Sequence, residues 1–157
     1  MIIASPAWAL GPNPEDCDVA GLTRMSDLVA ALSRRAVDAV SAAGRQDGED
    51  RLAGVIASDA AFSLGSGDVV RSLGHGVDGT RAMAREMKPD TFRFLGWDYI
   101  PTPAADPCGE HKVDVEFVNI RSQTLFPTTF TFRAGRIVDA AGWSRSYVTG
   151  PVDLAED

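Results

Sequence analysis

The chain has 157 residues, 45% of them hydrophobic and 24% charged, with 22 acidic residues against 15 Lys and Arg and a formal net charge of −7. That length makes one domain with a sizeable core, and the acidic balance, whose longest basic run is Arg34-Arg35, argues against nucleic acid as a partner. No stretch approaches the roughly 20 consecutive apolar residues of a spanning helix, so no membrane partner is expected.

Residues 1–21 read as an N-terminal arm, 22–150 as the domain and 151–157 as an acidic tail. Met1-Ile2-Ile3-Ala4-Ser5-Pro6-Ala7-Trp8-Ala9 is similar to the end of a secretory signal: a short apolar run, a Pro, then a small-x-small triplet. On that reading the protein is periplasmic or secreted; the alternative is a plain arm on a cytoplasmic protein. The two cysteines, Cys17 and Cys108, divide the same way. They form one disulfide if the protein is exported and stay free thiols in the cytosol. Neither has metal-ligand spacing or a nearby His, which disfavours a catalytic cysteine.

A first helix starts near Ser26, with Val29, Leu32, Ala36, Val40 and Ala43 on one stripe and Gly44 at its end. A short second helix, capped by Asp47, carries Leu52, Val55 and Ile56 as far as Ser58-Asp59. Ala60–Leu64 and Val69–Leu73 read as a strand pair about Gly65-Ser66-Gly67-Asp68, or else as loop. Gly74-His75-Gly76 leads into a third helix, with Asp78 or Thr80 as cap, Met83 and Met87 one turn apart, and Pro89 as stop.

Thr91–Ile100 then reads as a strand, and Pro101–Cys108 as a loop. Period-two alternation predicts long strands over His111–Ser122, Thr128–Arg133 and Arg136–Tyr147. The last two form a hairpin about Ala134-Gly135, and Pro127 marks an edge, bulge or kink. The expected class is α+β: a curved antiparallel sheet wrapped around three N-terminal helices.

Two stretches carry a family likeness. One is Gly76-Val77-Asp78-Gly79, opening the third helix after a strand pair. The other is Phe130-Thr131-Phe132-Arg133-Ala134-Gly135-Arg136-Ile137. Together with the element order, they resemble the nuclear transport factor 2-like superfamily, which includes the SnoaL-like cyclases and the ketosteroid isomerases. The resemblance implies a cone with a deep apolar pocket at its open end, and a homodimer through the outer sheet face. It also implies cofactor-independent proton-transfer chemistry in those members that are enzymes.

In ketosteroid isomerases an Asp stands four residues before the second Phe of the pair. Here that position is Thr128, and the first helix has no Tyr on its inner face, only Ala36 or Val40. The strand stretch Phe62-Ser63-Leu64-Gly65 has no carboxylate either, so steroid isomerisation by that constellation is disfavoured. An epoxide-hydrolase arrangement would need Asp98, Asp114 and Arg145 to converge, which spacing does not show.

By the same resemblance, Thr128, Phe130, Phe132, Val113, Val115 and Phe117 point inward and Asp114 and Glu116 outward. Met83, Trp97, Val115, Phe117, Thr128, Phe130 and Ser144 would then line the pocket, unless these side chains simply fill the cone. Ser144 would face the cavity and Trp143 the outside.

The acid–base candidates are His75, Asp98 and Tyr99. His75, at a helix N-terminus that favours its neutral form, could act as a base. Tyr99 could donate to an oxyanion, and a desolvated Asp98 could take a proton. Strand parity sends Asp98 and Tyr99 to opposite faces. His111 beside Glu110 and Lys112 reads as exposed, and no metal site is suggested.

Three functions follow as expectations: binding of a small hydrophobic molecule without a cofactor; a cofactor-independent isomerase, dehydratase or cyclase; or a structural, dimerising domain with a filled cone.

Overall fold

The computed structural model describes residues 17–45, 48–96 and 106–147. Three helices, α1 (Met25–Gly44), α2 (Glu49–Val55) and α3 (Gly76–Met87), accompany six strands. The strands are β1 (Ile56–Ser66), β2 (Val69–His75), β3 (Thr91–Leu95), β4 (Glu110–Asn119), β5 (Thr124–Arg133) and β6 (Arg136–Ser146). They form one curved, open sheet in the order β2-β1-β6-β5-β4-β3. Neighbours are antiparallel except β1 and β6, which run parallel. The α+β class therefore holds, with one parallel seam in an otherwise antiparallel sheet.

Helix α1 buries Leu28, Leu32, Ala36, Ala39, Val40 and Ala43, close to the expected stripe, while Val29 is only half-buried. It starts ahead of Ser26. Arg24 is its N-cap and provides no side-chain cap bond, so packing of Met25 and Leu28 rather than a hydroxyl sets the start. Helix α2 is shorter than expected, and Gly48 at φ 73° is its N-cap; Asp47 lies outside the described residues. Ile56 leaves the helix and opens β1, where its β-branched side chain is buried opposite Ile137.

The strand pair expected in this region exists and is longer than predicted. It turns at Gly67-Asp68, with Ser66 opposite Val69. The N-cap of α3 is His75, with Asp78 and Thr80 inside the helix; the Thr80 hydroxyl instead donates to the Gly76 carbonyl at 3.0 Å. Strand β3 ends at Leu95, short of Ile100, and the next described residue after Gly96 is Asp106. Pro127 falls inside the central strand β5. There β5 pairs with β6 at Thr124 and Leu125 and again from Thr128, consistent with a residue that has no N–H to give.

The sheet's inner face packs on α1 and α3. Val113, Val115 and Phe117 of β4, and Phe126, Thr128, Phe130 and Phe132 of β5, are all buried. Phe62, Phe117, Phe130 and Phe132 are each no more than 1% exposed, and burial of such a side chain stabilises by about 1.5–3 kcal/mol. A register shift between Thr131 and Phe132 leaves both buried. On the outer face Asp114 is exposed. Glu116 also points outward but is only 6% exposed, because Arg93, its partner on β3, lies 2.6 Å from its carboxylate.

One end of the sheet is locked shut. Ala134 (φ 53°) and Gly135 (φ 73°) turn the β5–β6 hairpin, and positive φ at both central residues is the type I′ geometry that matches strand twist. The Ala134 N–H donates to the Cys108 carbonyl at 2.8 Å. Cys108 is disulfide-bonded to Cys17, with their Cα atoms 6.0 Å apart. Arg35 of α1 adds a second tie. Its guanidinium donates to both Asp18 carboxylate oxygens, at 2.8 and 2.9 Å, and to the Gly135 carbonyl at 2.6 Å. Helix, N-terminal turn, hairpin and β4 thus meet at one corner.

Candidate functional site

At the opposite end the sheet stays open, and a depression of about 360 Å³ lies there. Its walls follow from register. Leu64 and Ser66 of β1 continue the inward series of Ala60 and Phe62. Across the parallel seam Ser66 stands beside Ser144. Arg71 of β2 is opposite Leu64, and Val69 is opposite Ser66. Thr124 and Phe126 of β5 close the far side, with Ser122 before them and Glu86 of α3 above. Leu64 and Phe126, 8% and 6% exposed, supply an apolar floor.

The rim is polar. Arg71 Nη2 meets Glu86 Oε2 at 3.0 Å, and both side chains remain about half exposed. The Ser122 hydroxyl donates to Thr124 Oγ1 at 2.9 Å, and Thr124 Oγ1 donates to the Ser122 carbonyl at 3.1 Å. The hydroxyls of Ser66 and Ser144 have no hydrogen bond among the described residues. The site therefore offers unspent donors: two serine hydroxyls and the remaining N–H groups of a guanidinium that has five.

Of the candidates named from the sequence, Ser144 lines this depression. Thr128 does not line it: it is 1% exposed, its hydroxyl donates to the Phe126 carbonyl at 3.0 Å, and it borders a separate depression on the outer face. A Cβ on Gly142 would stand 2.9 Å from that Thr128 oxygen, so glycine is what allows the two strands' inner faces to meet here. Met83, Val115, Phe117 and Phe130 are at most 1% exposed and belong to the common core below. Phe117 and Phe130 pack edge-on at 6.2 Å.

His75 is not brought to this end. It pairs with Ala61, an outward-facing position of β1, and its side chain is exposed. His111 is half-buried rather than exposed, with its Nε2 2.7 Å from the Asp106 carbonyl. Trp97, Asp98 and Tyr99 lie outside the described residues. The sequence reading missed Ser66, Arg71, Glu86 and Thr124. No local motif marks them, and only inward parity along β1 and β2 could have flagged Ser66 and Arg71.

The outer face carries a second depression, of about 350 Å³. Ser63, Thr129 and Ala141 form its floor, with Val70, Leu95, Pro127 and Trp143 around it. Among the described residues Asp114 is its one charged lining residue, and it accepts a hydrogen bond from the Thr129 hydroxyl at 2.6 Å.

No protein-family model and no curated protein matches the chain. Solved structures do. An NTF-2-like protein of unknown function from Silicibacter pomeroyi aligns with 76% of this chain and 98% of its own, at 18% identity and a TM-score of 0.51. A cystatin-like fold protein from Burkholderia xenovorans covers 78% and 95%, at 16% identity and a TM-score of 0.44. A phenazine biosynthesis-related protein from Pseudomonas aeruginosa covers 82% and 91%, at 14% identity and a TM-score of 0.36. With the element order, the curved sheet and the helices on its inner face, the first of these supports the architecture: the chain has an NTF-2-like α+β fold.

Proposed function

We propose that the protein binds a small, largely apolar molecule at the open end of its sheet, without a cofactor. The observation that carries this reading is the depression of about 360 Å³ over Leu64 and Phe126, a volume at the lower end of the roughly 300–1,000 Å³ range of small-molecule sites. Its apolar floor would take the body of the ligand and its hydroxyl rim a polar end. An isomerase, dehydratase or cyclase reading has less support from His75, which is exposed opposite Ala61 and does not line this depression.

Native mass spectrometry against the denatured intact mass tests the reading. A retained ligand appears as excess mass that denaturation removes. Ser144→Phe, which fills the depression, should abolish it. A ligand still retained by Ser144→Phe places the binding elsewhere and overturns the reading.

A second reading, a dimerising domain with a filled cone, is supported by a different observation. Met83, Val115, Phe117 and Phe130 occupy the interior at 0–1% exposure, while Val70 and Trp143 stand 65% and 38% exposed beside the outer depression. An apolar sheet face of this kind suits a second copy of the chain. Light scattering should then give a mass of two chains, reduced to one by Val70→Lys.

A further inference from the structure

Three rim groups of the open-end depression are donors without a full set of partners. Among the described residues Arg71 is paired with Glu86 alone, and Ser66 and Ser144 stand side by side across the β1–β6 seam with hydroxyls that no protein group engages. The acceptors are differently placed. The Ser122 and Thr124 oxygens are already joined to each other, and Glu86 is already matched by Arg71. Directly below lie Leu64 and Phe126, with no charge on the floor. A ligand that satisfies this arrangement brings acceptors to the rim and hydrocarbon to the floor.

Building on the reading of this depression as a binding site, we infer that its ligand is an amphiphilic carboxylate. Its carboxylate is held by Arg71 with the Ser66 and Ser144 hydroxyls, and its apolar chain lies on Leu64 and Phe126. A carboxylate has two oxygens and roughly four lone-pair sites, and the planar guanidinium matches it in geometry. A neutral alcohol would leave most of these donors unused. An ammonium could donate to the serine hydroxyls, but it would stand beside the like charge of the Arg71 guanidinium and would compete with it for Glu86. The arrangement makes Glu86 a competitor: it occupies Arg71 in the empty site, and the ligand's carboxylate shares or takes over that guanidinium.

The test is ligand-observed NMR with two probes of equal chain length, octanoate and 1-octanol, on the full chain and on Arg71→Gln and Glu86→Gln. Arg71 sits on an edge strand and is exposed, so the variants should keep the native circular dichroism. Octanoate should bind about tenfold more tightly than octanol, the worth of one charge-assisted contact. Arg71→Gln should erase that difference and leave octanol unchanged. Glu86→Gln should strengthen octanoate binding by removing its rival, an outcome a purely structural ion pair would not produce. Equal binding of the two probes, or octanoate binding that ignores Arg71→Gln, overturns the carboxylate inference and leaves the binding reading standing. If neither probe binds, the inference falls together with an apolar-ligand reading of this depression.

Discussion

The indole of Trp143 lies across Gly65 on the outer face of the sheet. The two are neighbours across the parallel β1–β6 seam, and a Cβ added to Gly65 would overlap the ring. The missing side chain thus makes the bed for the aromatic one, which covers a stretch of backbone that would otherwise weaken the strand. Gly65→Ala should lift the indole away and lower stability by about 1–2 kcal/mol, in the range for overpacking a fitted contact. A shifted urea midpoint with unchanged slope, accompanied by red-shifted tryptophan emission, is the expected result. An unchanged midpoint would mean the contact contributes nothing.

The bridge between Cys17 and Cys108 spans 91 residues of sequence. A loop of that length, in the chain-entropy account, makes the disulfide worth about 4.6 kcal/mol. The intact mass should show the loss of two protons per chain, and Cys17→Ser with Cys108→Ser should lower the unfolding free energy by roughly that amount. A much smaller loss would show that the corner holds without it.

Arg35 ties the same corner through Asp18 and Gly135. Its side chain is 20% exposed and that of Asp18 is 65% exposed, so the ion pair itself is partly screened. The bond to the Gly135 carbonyl is better sheltered. Arg35→Ala should cost about 1–3 kcal/mol, as expected for hydrogen bonds to a charged group. Because the disulfide and Arg35 hold the same N-terminal turn, their effects should not add. The combined variant should lose at least 0.5 kcal/mol less or more than the sum, the usual coupling for residues sharing partners.

Ala134 carries a Cβ at φ 53°, where most L residues are strained. Ala134→Gly should therefore stabilise the hairpin by about 0.5–1 kcal/mol, after the extra flexibility it gives the unfolded chain. The check is a rise in the thermal midpoint with the Gly135–Arg35 bond left in place.

His75 provides a control for the catalytic expectation. Exposed on the outward side, it should tolerate His75→Gln with less than about 0.5 kcal/mol change in stability, as surface substitutions generally do, and with no change in octanoate binding. A His75→Gln variant that loses binding would return this residue to the site.

Much of the fold could be read from particular residues. The alternation of Val113, Val115 and Phe117 with Lys112, Asp114 and Glu116 marked one buried face of β4, and the structure buries that face. Ala134-Gly135 announced the hairpin turn. The helix boundaries were less legible: Ser26 is a good cap by type, yet α1 begins before it because Met25 and Leu28 have a core to pack on. Ile56 read as helical by its spacing from Leu52, but pairing with Ile137, distant in sequence, draws it into β1. Of the residues lining the open-end depression, Ser144 was named through the resemblance, whereas Thr128 borders the outer one. Arg71 and Glu86, 15 positions apart in sequence, were not, since nothing local relates a strand residue to the last turn of the following helix.

What the sequence determined by itself is the period of each segment, because a strand's side chains alternate and a helix's recur at 3.6 residues whatever surrounds them. That was enough for three helices, a curved sheet with one apolar face and the order of the elements. Which segments become neighbours was decided only by the tertiary structure. The parallel seam that sets Ser66 beside Ser144, the corner that joins Cys17 to Cys108, and the reach of Arg71 to Glu86 all depend on register between distant segments. Register is fixed by the fit of whole faces against the helices, and no single stretch of sequence carries that information.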